Sequence, residues 1–367
     1  MKPSLIILAI MFPVALLAQP RSPFDQWDKN KDGKLVEEEL PAQLRKNFSR
    51  VDRNGDGFIS REEDAAFRNR GGGPRQPSLP DGIEKIADLD YSGNDNPRQK
   101  LDLYLPRERR EDAEPLPLIA FIHGGGWKNG DKASGWNKLR EFIPEGNYAG
   151  ASIGYRLTDE AQWPSQIHDC KAAIRWLRAN ASEHGIDPNR IAVWGSSAGG
   201  HLVAMLGVSH EVEGLEGQIG DHLETSSEVS CVVNFFGPSE LLTMDDHPGR
   251  MTHNAPDSPE SKLVGGPIQK NKEKAENASP ITWVSSDDEP SLIVHGTEDQ
   301  LVPYPQSVDL EAALEKEGVK TILLTVDGGG HGQGFGPAVT DAVRTFLDHQ
   351  LRGAEKTIKD GTVKAGE

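Results

Sequence analysis

Between residues 81 and 353, short runs rich in Val, Ile and Leu alternate with segments of helical periodicity, and this alternation most restricts the fold. Residues 101–105 (LDLYL), 116–123 (LPLIAFIH), 191–195 (IAVWG), 231–236 (CVVNFF), 291–295 (SLIVH) and 321–326 (TILLTV) read as strands. Between them, Ile167, Cys170, Ile174 and Leu177 fall on one helical face, and Val339, Val343 and Leu347 on the inner face of a final helix. Strands that are apolar throughout, rather than alternating, are buried on both faces. The expectation is an α/β fold: a mostly parallel sheet covered by helices on both sides. In such sheets chemistry sits beyond the carboxyl ends of the strands.

Four loops at those ends carry the informative residues. Gly195-Ser196-Ser197-Ala198-Gly199 follows a predicted strand and opens a predicted helix. A G-x-S-x-G turn there lifts one hydroxyl above the sheet and sets it at a helix N-terminus. Ser197 is therefore the candidate nucleophile, with Ser196 pointing into the turn. His123-Gly124-Gly125-Gly126-Trp127 follows the 116–123 run. Three glycines in succession cost entropy and pack nothing, so the site needs bare backbone there. The N–H groups of Gly124, Gly125 and Ala198 are candidates to hold an oxyanion. A phosphate cradle would place Lys-Ser/Thr after the glycines, where Trp127 stands. Asp299, after the 291–295 run, is placed to orient a histidine, with Glu298 as its neighbouring rival. Asp287 and Asp288 precede that strand and belong to the opposite edge. His331 lies between glycines in 328–332, past the last strand, and completes the order Ser, Asp, His. Such a set predicts attack of Ser197 on an ester carbonyl, with His331 taking its proton.

The motifs HGGGW, YRL (155–157), IHDCKAAIRWLRAN (167–180), GIDPNRIAVWGSSAGGHL (185–202) and HGTEDQLVP (295–303) resemble the bacterial feruloyl-esterase-like group among the hormone-sensitive-lipase-like esterases and lipases. The resemblance covers roughly residues 81 to 352. It implies the α/β-hydrolase fold and hydrolysis of carboxylic esters, often acetyl or feruloyl groups on plant or algal polysaccharides. Carried over by position, it implies Ser197, Asp299 and His331 as triad, and Gly124, Gly125 and Ala198 as oxyanion donors. The excursion from Thr243 to Trp283 is expected to roof the site.

Residues 22–69 carry a second signal. Asp28, Asn30, Asp32, Gly33 and Glu39 match D-x-[DN]-x-[DN]-G-x5-E, and Asp52, Asn54, Asp56, Gly57 and Glu63 match it again 24 residues later. Hard oxygen ligands with a glycine bend suit Ca²⁺, with the carbonyls of Lys34 and Phe58 at position 7. Leu35 and Ile59 are placed to pair the loops, and Leu40, Leu44, Phe48 and Val51 line the connecting helix. Val36 at position 9 of the first loop offers no side-chain oxygen, whereas Ser60 does in the second. The pair resembles EF-hands, a small all-α calcium module. Its interval is similar to that of dockerins, but Glu at position 12 favours the EF-hand. A structural metal is expected rather than a sensor, and the module is a candidate to dock a protein partner.

Lys2, the apolar stretch 5–17 and Ala18 read as a secretory signal over residues 1–18, so an exported or periplasmic protein is expected. No later segment approaches 18 apolar residues, which predicts no membrane span in the mature protein. Residues 70–80 (RGGGPRQPSLP) read as a linker, and 354–367 as a polar, flexible tail. The net charge of −17 excludes a phosphate-bearing nucleic acid partner. Cys170 and Cys231 permit one bridge, but both fall in apolar runs where free thiols are common. A lipase or peptidase of the same fold, or an idle binding module, competes with the esterase. The excursion 243–283 is too polar for a lipase lid, and no propeller fits before residue 81.

Overall fold

The computed structural model describes residues 24, 27–45, 48–52, 56–61, 63–64, 67, 79–108, 113–247 and 249–367. The signal reading, Asn54 and most of the linker lie outside the described residues. The chain forms two compact units, residues 1–77 and 78–367.

In the first unit, strands β1 (Lys34–Leu35) and β2 (Ile59–Ser60) pair antiparallel, with Leu35 opposite Ile59. Short helices Ala42–Arg45 and Phe48–Val51 lie between them in sequence. Phe24, Leu35, Leu40, Val51 and Ile59 are buried together, with Trp27, Phe48 and Phe67 packed against them. The pairing expected of the two loops is thus present, and the other described residues of the unit lie in short helical segments and loops.

The second unit is built on β3 (Ile83–Asp90), β4 (Lys100–Pro106), β5 (Leu116–Ile122), β6 (Ala149–Ile153), β7 (Ile186–Ser196), β8 (Cys231–Phe235), β9 (Ser291–Gly296), β10 (Thr321–Asp327) and β11 (Gly361–Lys364). They form one nine-stranded sheet in the order β11-β10-β9-β8-β7-β5-β6-β4-β3. Every pairing from β6 to β11 is parallel; β4 pairs antiparallel with both β6 and β3. Alternate residues of the central strands feed two cores, as the period of two demands. Leu118, Ala120, Ile122 and Val193 pack with Ile167, Ile174 and Leu202 on one face. Ile119, Phe121, Ala192 and Trp194 pack with Trp136, Val343 and Phe346 on the other. Both faces are covered, so the strands carry no polar side. Among the described residues no helix is long and apolar enough to cross a membrane. Cys170 and Cys231 are free and buried.

Three strands of the sheet, β3, β6 and β11, escaped the sequence reading. β3 lies at the sheet edge with a half-exposed, charged pattern, and β6 (AGASI) is made of small residues with weak strand preference. The reading of 354–367 as a flexible tail is corrected. Residues 361–364 form β11, in parallel register with 324–327 of β10. Ala365 N–H donates to the Asp327 carbonyl, Leu323 N–H to Asp360, and Val363 packs on the core. An edge strand needs only one inward apolar residue, so polar composition hid it.

Candidate active site

The helix Ala198–Val208 starts directly after β7, and the connecting residue Ser197 sits at φ 58°, ψ −124°. A non-glycine residue holds such a conformation only when its surroundings impose it. They do so by crowding. A Cβ on Gly195 would stand 2.2 Å from the Gly199 carbonyl oxygen, and one on Gly199 would stand 2.2 Å from that of Ile122. Only hydrogen at both positions allows strand and helix to meet in so tight a turn. Ser197 N–H donates to the Phe235 carbonyl at 2.9 Å, fixing the turn to β8. Ser196 Oγ is buried without a hydrogen-bond partner among the described residues.

The glycine loop after β5 approaches the same turn. A Cβ on Gly124 would meet the Ser196 carbonyl oxygen at 2.5 Å and Ser197 Cβ at 3.3 Å. Among the described residues, the N–H groups of the sequence-predicted donors Gly124 and Gly125 make no backbone hydrogen bond, although the Gly125 carbonyl accepts from Lys128 and Asn129. Ala198 is the first residue of its helix, where the N–H has no intrahelical partner. The loop is braced from both ends. The His123 ring stacks on Tyr155 with centroids 4.3 Å apart, and Tyr155 OH donates to the His123 carbonyl at 2.9 Å. Trp127 Nε1–H donates to His201 Nδ1 at 3.2 Å, while His201 Nε2 donates to the Ala278 carbonyl at 2.6 Å. These partners fix one neutral tautomer, and burial pushes the His201 pKa down to about 4. Arg156 of YRL forks onto Asp169 of IHDC at 2.7 to 3.1 Å.

Past β9, Asp299 is buried and Glu298 is exposed. Asp299 Oδ2 lies 2.7 Å from His331 Nδ1, and Asp299 Oδ1 accepts the N–H groups of Leu301 and Val302. His295 Nε2 adds a second imidazole at 3.3 Å from Oδ2. That nitrogen also faces the Val302 carbonyl at 3.0 Å, and Nδ1 faces Ser307 Oγ at 2.6 Å. The carbonyl accepts only, so His295 Nε2 carries the proton. Burial pushes the Asp299 carboxyl up, but hydrogen bonds from His295 and His331, the His331 charge and the Val302 N–H hold it well below the usual carboxylate range. Phe236 packs on the His331 ring at 4.4 Å.

Ser197, Ala198, Gly124, Gly125 and His331 line one cavity of about 660 Å³. No hydrogen bond joins Ser197 Oγ to His331 among the described residues. The expected roof is present in part: Met251, His253, Pro259 and Glu260, all from 243–283, line the same cavity. His253 and Glu260 escaped the sequence reading, as did the grip of His295 on Asp299. His295 stood in a recognised motif, but no spacing rule assigns it to Asp299.

In the first unit, each loop has one scaffold. Asp28 Oδ2 accepts Gly33 N–H and Asp52 Oδ2 accepts Gly57 N–H, both at 3.0 Å, with the glycines at φ +80° and +87°. Glu39 Oε2 accepts Val36 N–H at 3.2 Å; Glu63 Oε2 accepts Ser60 N–H at 3.0 Å and its hydroxyl at 2.9 Å. Asp32 accepts Lys34 N–H at 2.9 Å and Asp56 accepts Phe58 N–H at 3.2 Å. The donors, all oxygen, fit a hard cation by chemistry. Among the described residues, the three-acid group whose oxygens close to within 4.8 Å is Glu311, Glu315 and Asp360 of the other unit, so the loop acids stand wider apart.

Residues 101–314 match the BD-FAE family model, and residues 44–63 match an EF hand model. Esterase LipC of Mycobacterium tuberculosis is 33% identical over 65% of this chain and 58% of its own length. The chain spans about half the length of the curated relatives it matches. Among solved structures, a truncated carbohydrate esterase from gut microbiota superposes with a TM-score of 0.69 at 33% identity, covering 75% of this chain and 99% of that one. A bifunctional GH43-CE protein of Bacteroides eggerthii gives 0.67 at 30% identity, covering 72% of this chain and 38% of that one. The nine-stranded sheet, the serine elbow and a family match over more than half the chain agree: this chain belongs to the BD-FAE family of α/β-hydrolase esterases.

Proposed function

We propose that the chain is an exported serine carboxylesterase acting on acetyl or feruloyl esters of polysaccharides. The observation that carries this reading is the Asp299–His331 hydrogen bond on the wall of the cavity that Ser197 lines. With Nδ1–H given to Asp299, His331 Nε2 is free to accept a proton. It takes that of Ser197 as Oγ attacks the ester carbonyl, and the N–H groups of Gly124, Gly125 and Ala198 hold the oxyanion. Each such donor is worth about 3 kcal/mol of transition-state stabilisation. Collapse expels the alcohol, which leaves with the proton from His331. Water then releases the acid from the acyl-enzyme by the same route. The carbohydrate esterases among the structural neighbours support the substrate class.

In the first unit, Asp28, Asn30, Asp32, the Lys34 carbonyl and Glu39, with Asp52, Asn54, Asp56, the Phe58 carbonyl and Glu63, would hold two structural Ca²⁺ ions, and its surface would serve a protein partner. The ester reading is tested with Ser197→Ala and p-nitrophenyl acetate. Turnover is expected to fall by about three orders of magnitude or more with folding retained. Unchanged turnover removes Ser197 as nucleophile.

A further inference from the structure

Among the described residues lining the cavity, Glu260 is the only acid, and the reaction above does not use it. Its side chain is 4% exposed and that of His253 is 3% exposed. Glu260 Oε1 lies 3.0 Å from His253 Nδ1, yet Oε2 is buried with no hydrogen-bond partner among the described residues. A buried carboxylate oxygen left unpaired costs free energy, and Glu260 stands in the cavity wall, where a ligand that turns the carboxylate toward itself would satisfy it.

The pair is held in place. His253 N–H and Asn254 N–H each donate to Asp245 at 2.7 Å. Pro259, the residue before Glu260, stands 3.3 Å from where a Cβ on Gly126 would lie, so the pair sits beside the glycine loop. Burial pushes the His253 ring down in pKa, but Glu260, Asp245 and the Leu301 backbone hold it above its ordinary value. His253 Nδ1 faces Glu260 Oε1, and Lys128 and Lys138 line the same cavity. A cationic ligand is therefore disfavoured, and a neutral donor fits. Resting on the ester reading, we propose that Glu260 Oε2, oriented by His253, accepts a hydroxyl of the substrate and selects hydroxyl-bearing esters over bare ones.

The test uses the full chain, wild type and Glu260→Met, on two substrate pairs. One pair is the 3-O-acetate of methyl β-xyloside and its 2,4-dideoxy counterpart. The other is methyl ferulate and methyl 3,4-dimethoxycinnamate. The wild type is expected to prefer the hydroxyl-bearing member of at least one pair by about 10- to 100-fold in kcat/KM, since a site built for a hydroxyl rejects its analogue. Preference in the first pair assigns the hydroxyl to the alcohol, and in the second to the acyl group. Glu260→Met should abolish the preference and leave p-nitrophenyl acetate within about threefold. A wild type without preference in either pair overturns the proposal. So does a preference that survives in the variant, or an equal loss on p-nitrophenyl acetate. If Glu260→Met fails to fold, the wild-type pairs alone decide: preference in one supports the proposal and preference in neither overturns it. Failure of the ester reading is seen separately, as no wild-type turnover of p-nitrophenyl acetate.

Discussion

Asp299 Oδ2 receives two imidazoles, His331 at 2.7 Å and the fully buried His295 at 3.3 Å, so the carboxylate that orients the candidate base is itself oriented from behind. Asp299→Asn preserves shape but presents an amide N–H where Nδ1–H of His331 needs an acceptor, favouring the wrong tautomer. The expected result is a loss of about 10³- to 10⁴-fold in kcat on p-nitrophenyl acetate with an unchanged circular dichroism spectrum. A loss below tenfold would show that His331 does not depend on Asp299.

Gly124 has no room for a side chain, because its Cβ would press on the Ser196 carbonyl and on Ser197 Cβ. Both belong to the turn rather than to a flexible side chain, so the loop must retreat. Gly124→Ala should lower kcat by about 100-fold or more, the scale of losing one oxyanion donor. KM for the same ester should change little, and a change confined to KM would place the loop in ground-state binding instead.

The sheet was legible because its central strands are apolar on both faces, and the site because each of its loops follows such a strand. What escaped was whatever lacks that signature. β3 and β11 are edge strands with few inward apolar residues, and β6 is built from Ala, Gly and Ser. Glu260 and His253 come from the 243–283 excursion, where no periodicity ties residue to position. Their meeting depends on packing against the cavity wall. The Trp127–His201–Ala278 chain escaped for the same reason, although both His201 and Trp127 stood inside recognised motifs.

In the first unit, Asp28 and Asp52 each receive a glycine N–H, and Glu39 and Glu63 close their loops from position 12. Bound Ca²⁺ would add its binding free energy to the folded state alone. Calorimetry with excess chelator should therefore show a lower melting temperature for this unit, with turnover of p-nitrophenyl acetate within about twofold. Superimposable melting curves with and without chelator would discard the metal sites.

Glu289 precedes β9 by two residues, with its N–H on the Gly207 carbonyl, and its carboxyl is pushed up to about 7. Burial is the main cause, followed by Glu228 and Asp288, with Arg178 opposing them. The ordinary value is 4.5, so the folded state binds this proton more tightly than the unfolded state. The stability tied to that proton is complete below about 4.5 and is lost as pH rises through about 7. Glu289→Gln keeps a neutral, similarly shaped group at every pH. It should raise the melting temperature at pH 8 and leave it nearly unchanged at pH 4. An equal shift at both pH values would mean that the substitution acts through packing against Gly207, not through the charge.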